Sequence, residues 1–141
     1  YKTLMDLRQN LIELKSQIEY LASLKKEDVT HVIKSSIYEI ENLKVFKEEE
    51  LKELNKVILI NEPFNNLYFK YNKEYLSSKG VVYLKEEDDL AFIISLFYFF
   101  KLRIPILLIA NSKLQIQSFD ILIKYLKENN MSKNFLIKIN D

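Results

Sequence analysis

Along the first part of the chain, Leu4, Leu7, Leu11, Leu14, Ile18 and Leu21 advance by three and four without a miss. That is the spacing of a helix face and of a coiled-coil seam. After the charged stretch "KKED" at 25–28 a second apolar stripe runs Val29, Val32, Ile33, Ile37, Ile40. Two such stripes joined by a short polar break predict an antiparallel helical hairpin. A third, short helix is expected over "KEEELKELN", 47–55. From there the period changes. Runs of β-branched and leucine residues, "KVILIN" at 56–61, "VVYL" at 81–84, "IPILLIANS" at 104–112 and "FLIKIN" at 135–140, alternate with helix-length segments at 65–78, 87–102 and 113–128. Near-continuous apolar strands alternating with helices predict a parallel sheet covered on both faces and joined by right-handed crossovers. The fold expectation is therefore α/β: a helical hairpin over 1–55, then a small four-stranded, mainly parallel, Rossmann-like domain over 56–141. Gly80, the only glycine, falls between a helix end and a strand start, where a left-handed C-cap belongs.

"LAFIISLFYFF" at 90–100 breaks the amphipathic rule, being apolar on every side. A spanning helix needs about 20 apolar residues, and this run is bounded by Glu86, Glu87, Asp88 and Asp89 on one side and by Lys101 and Arg103 on the other. It is too short to span. It is expected to be a helix buried on most of its circumference, started by acidic residues that suit the positive end of a helix dipole. Its bulk, with Phe97 and Phe100 among four consecutive aromatics, also suggests a docking face for a partner.

Composition narrows the function classes. Hydrophobic residues make up 48% and charged ones 29%, with a formal net charge of +1, a profile of globular chains. Basic and acidic residues stay balanced along the chain, three against three over 1–24, six against eight over 25–55 and twelve against nine over 56–141. No basic stripe emerges, so nucleic acid is not an expected partner. The lack of cysteine removes disulfides, thiolate metal sites and cysteine nucleophiles, and favours a reducing, cytoplasmic setting. The chain opens on Tyr1, as expected of one piece of a larger protein.

Sites on open parallel sheets lie beyond the carboxyl ends of the strands. Those positions hold Glu62 after the first expected strand, Asp88 and Asp89 after the second, Asn111 and Lys113 after the third. Read as chemistry, they are oxygen ligands for magnesium with a lysine for phosphate; read as structure, they are acidic helix starts and turn residues. A single glycine leaves no phosphate-cradling loop. His31, the only histidine, lacks the companions that zinc requires, and Ser95 lies inside the apolar run with no nucleophile elbow around it. No cofactor is expected.

The strand, helix, "PILL", helix, strand cadence of residues 81–139 resembles the type 2 cell-wall-binding repeats of Gram-positive surface proteins. Those repeats are rich in glycine and alanine. Aromatics stand in their place here and no glycine follows Gly80, so the resemblance implies βαβ construction and no function is carried across it. The reading that results is a non-catalytic structural or protein-interaction module. It would meet a protein partner or another copy of itself through the seam Leu4, Leu7, Leu11, Leu14, Ile18, Leu21 and through Phe97 and Phe100. The alternative is a ligand-sensing or magnesium-dependent domain using Glu62, Asp88, Asp89, Asn111 and Lys113.

Overall fold

The structure, a computed structural model, describes residues 4–59 and 80–139. Four helices come first, α1 (Leu4–Lys15), α2 (Ile18–Ser23), α3 (Lys26–Glu41) and α4 (Glu48–Leu59). Then strands and helices alternate: β1 (Val82–Lys85), α5 (Asp89–Lys101), β2 (Ile106–Ile109), α6 (Lys113–Glu128) and β3 (Leu136–Lys138). The described strands form one parallel sheet in the order β1-β2-β3, with Val82 opposite Ile106 and Ile106 opposite Leu136. The mixed α/β class and the parallel pairing agree with the sequence.

Side chains alternate across a strand, and here the alternation separates two cores. Val82, Leu84, Ile106, Leu108 and Leu136 turn to the face covered by α5 and α6, with α3 and α4 beyond them. Val81 and Leu107 turn to the other face, where Leu14 of α1 packs on them and Leu7, Ile137 and Ile139 lean against the cluster. Leu107 lies between two neighbours that face the opposite way, which is why β2 is buried at all four positions.

Helix α5 is the hub. Phe92 through Phe100 are buried without exception, enclosed by the sheet, α3, α4 and α6. Asp88 caps it, its Oδ2 accepting from the Ala91 N–H at 2.8 Å. At the other end Arg103, in the left-handed region at φ 64°, turns the chain so that its N–H reaches Phe100 O and that of Ile104 reaches Phe99 O. The apolar run is thus a core helix. Among the described residues no helix is long and apolar enough to cross a membrane.

Two expectations are corrected. Lys56, Val57, Ile58 and Leu59, four of the six residues of the expected first strand, are the last turn of α4; residues 60–61, like the helix expected at 65–78, lie outside the described residues. Leu54 and Val57 are buried with Ile58 packed against the same core, a helical spacing that a short apolar run conceals. Lys101 of α5 donates from Nζ to Val57 O at 2.8 Å and Ile58 O at 2.6 Å, satisfying terminal carbonyls at the negative end of α4. The described sheet accordingly has three strands.

The helical hairpin also differs from expectation. The N-terminal helix is interrupted at Ser16 and Gln17, where Ser16 Oγ turns back to Glu13 O and the Gln17 N–H to Leu14 O. Helix α1 packs on β2 and β3, whereas α3 packs chiefly on α6 behind the opposite face. The sheet offers α1 a wider apolar surface than one helix stripe does, and a parallel sheet needs both faces covered.

Candidate functional site

At the carboxyl edge of the sheet the N-termini of α5 and α6 meet, and the residues between them bind each other. Gln115, in the first turn of α6 and buried, donates from Nε2 to Glu86 O at 2.7 Å and to Asp89 Oδ1 at 3.2 Å. Its Oε1 accepts the Asn111 N–H at 3.0 Å. Ser112 donates its hydroxyl proton to the same Asp89 oxygen at 2.7 Å and accepts the Gln115 N–H at 3.0 Å. Asp88, Asp89 and Asn111 are therefore gathered, as the sequence placed them, but each is engaged in a cap or a clasp. Lys113 is the exposed first residue of α6, and Glu62 lies outside the described residues. Among the described residues no group of three or more His, Cys, Asp or Glu is placed to hold a metal ion.

Ser112 and Gln115 are the residues that spacing alone did not single out as a pair. "SKLQ" at 112–115 has the form of a capping box, in which Ser caps the third residue's N–H and the glutamine reaches back. Here the glutamine reaches one residue further, to Asn111, and spends its amide protons on the loop after β1.

The leucine seam is divided lengthwise. Leu7 is half-buried and Leu14 and Leu21 are fully buried, one row of the seam. The alternate row stays at the surface, Leu11 at 39% and Ile18 at 38% exposure, and Ile12 beside it is 55% exposed. Leu4's side chain lies outside the described residues. Leu14 and Leu21 are thus withdrawn from the expected contact set. So are Phe97 and Phe100, which are wholly buried, Phe100 stacking on Phe135 with ring centroids 5.1 Å apart. An apolar helix surrounded on all sides leaves no aromatic for a docking face.

Polar clamps hold the outer layer. Glu39 of α3 accepts at one carboxylate oxygen from Lys124 Nζ at 2.6 Å and from Tyr125 Oη at 2.7 Å, both on α6. Those hydrogen bonds, that from Lys124 first, hold the Glu39 carboxyl below the usual carboxylate range. Burial likewise pushes the Lys101 amine below its ordinary value. His31 is exposed on α3, and Ser95 is buried with its hydroxyl unpartnered.

Comparison with protein families, with curated protein sequences and with solved structures finds no match. The cadence of residues 81–139 is accounted for by two consecutive βαβ units.

Proposed function

We propose that this chain is a non-catalytic protein-interaction module of a larger protein or assembly, docking its partner on the outer stripe of α1 and α2. The observation that carries the reading is the split seam: Leu7 and Leu14 of α1 are taken up by the sheet and Leu21 of α2 by the main core, while Leu11 and Ile12 of α1 and Ile18 of α2 stay at the surface. Apolar residues grouped on one exposed helix face, rimmed by charge, are the usual mark of a contact site. The clasp at the carboxyl edge supports the same reading, because Asp89, Ser112 and Gln115 spend their hydrogen-bonding capacity on one another.

A photo-crosslinking side chain at Ile12, introduced in cells, is expected to give a discrete protein adduct. The same group at Lys34, exposed on α3, serves as the control. No adduct at Ile12 above that control overturns the reading. The ligand-sensing alternative rests on Asp88, Asp89, Asn111 and Lys113, with Glu62 outside the described residues. A rise in thermal stability with magnesium or a nucleotide, abolished by Asp89→Asn, would put it first.

A further inference from the structure

We infer that the cleft between the end of α6 and the loop before β3 binds a phosphate monoester carrying a small apolar group. The site is independent of any docking on α1 and α2. Helix α6 closes in a Schellman motif: Asn130, left-handed at φ 58°, donates its N–H to Lys127 O at 3.1 Å, and Met131 donates to Leu126 O at 2.9 Å. The loop is then tied down, the Ser132 N–H donating to Tyr20 Oη at 2.8 Å and the Asn134 N–H to Ser132 Oγ at 3.1 Å. With those amides spent on the turn, the groups left for a ligand are side chains. They line a cleft of about 500 Å³, within the range of small-molecule sites. Ile123 and Met131 give it an apolar wall that is itself packed on the main core. Lys127 and Lys133 bring two exposed ammonium groups, and neither has a hydrogen-bond or ion-pair partner among the described residues. The side-chain amides of Asn130 and Asn134 are uncommitted in the same way, and the Ser132 hydroxyl, an acceptor in the turn, keeps its proton to donate.

Charge selects the ligand. Among the described residues no carboxylate lines the cleft. Glu128 falls in the helical row of Lys124, four residues before it, and not in the row of Ile123 and Lys127. Glu13 borders a separate groove that Lys133 also touches. Two ammonium groups without an acid match a phosphate monoester, which carries about −1.5 to −2 at neutral pH; a carboxylate would balance only one of them. The amide and hydroxyl donors suit the remaining phosphate oxygens. The negative end of α6 opposes an anion, but its last carbonyls are capped, Tyr125 O by Asn129 Nδ2 at 2.8 Å and Leu126 O and Lys127 O by the turn itself. Because side chains do the holding, the site needs no glycine-rich cradle, and a chain with one glycine can carry it.

The test follows amide NMR shifts of the full chain titrated with monobutyl phosphate at constant ionic strength, with far-UV circular dichroism confirming that each variant folds. Saturable shifts centred on residues 123–134 are expected, with a dissociation constant on the order of 1 mM. Lys127→Gln and Lys133→Gln should each weaken binding about tenfold. Lys52→Gln, at an exposed position of α4, should leave it unchanged. Inorganic phosphate, which has no group for the apolar wall, should bind about fivefold more weakly, and pentanoate, with a single charge, about tenfold more weakly. Shifts that do not saturate, that spread over lysines elsewhere on the surface, or that ignore both lysine substitutions overturn the inference, as does either comparison anion binding as tightly as monobutyl phosphate.

Discussion

Replacing Gln115 with alanine tests whether the clasp fastens the carboxyl edge of the sheet. The substitution removes donors to Glu86 O and Asp89 Oδ1 and the acceptor of the Asn111 N–H. A buried hydrogen bond contributes about 1 kcal/mol net, and more where one partner is charged, as Asp89 is. Asn111 is exposed and Glu86 and Asp89 are half-buried, so water takes over part of what is lost. Adding the one side-chain methylene removed, Cγ, whose burial contributes about 0.8 kcal/mol, the expected destabilisation is about 2–3 kcal/mol. For a chain of this size that lowers the melting temperature by roughly 6–12 °C. Urea denaturation followed by far-UV circular dichroism should show the midpoint falling with an unchanged slope. Gln115→Glu sharpens the test, since it keeps the shape but sets a carboxylate against a carbonyl and against Asp89. That environment raises the new carboxyl's folded pKa above its unfolded value of about 4.3. The folded state then binds the proton more tightly, so the variant should be less stable than Gln115→Ala at pH 7 and recover relative to it as pH falls through that raised value. A Gln115→Ala protein within about 0.5 kcal/mol of the parent would refute the clasp.

Other expectations follow from the core and its clamps. Phe100→Ala empties a fully buried ring site stacked on Phe135 and should cost about 3–5 kcal/mol by the same denaturation assay. Glu39 holds a depressed pKa beside Lys124 and Tyr125. Its contribution is present above the ordinary carboxylate value and is lost as pH falls through the folded one, so Glu39→Gln should flatten the acid limb of a stability-versus-pH curve. Gly80 sits at φ 74°, and a Cβ there would approach Ile18 Cδ1 to 3.2 Å. Gly80→Ala should therefore destabilise by about 1–2 kcal/mol, chiefly through the left-handed backbone, and thermal melts comparing it with Gly80→Asn, which tolerates that region better, will show whether the backbone is the cause.

What could be read from the chain, and what could not, divides along a physical line. Helix α6 is found at the residues expected, 113–128, because its cap and its apolar stripe are both local signals. The βαβ order of 81–139 was legible for the same reason, each strand being a short apolar run between turn residues. Apolarity shows that a surface must be covered without saying by what. "KVILIN" reads as a strand because a short apolar run fits either element, and only the packing of Leu54 and Val57 in the outer layer settles residues 56–59 as helix. The seam spacing of three and four is the same whether its partner is a helix or a sheet. The outer face of the sheet accepts Leu7 and Leu14, the main core accepts Leu21, and Leu11 and Ile18 are left at the surface, a division visible only once the sheet exists. The carboxyl edge teaches the converse. Its acidic residues read equally as ligands or as caps because both use the same oxygens, and Gln115, which binds Asp89, carries no charge to draw notice. A buried amide has four hydrogen bonds to place. By placing them on the Asn111 N–H, on Glu86 O and Glu87 O and on Asp89 Oδ1, Gln115 gives Asp89 a structural reason to stand where it does, as the cap on the Ala91 N–H does for Asp88.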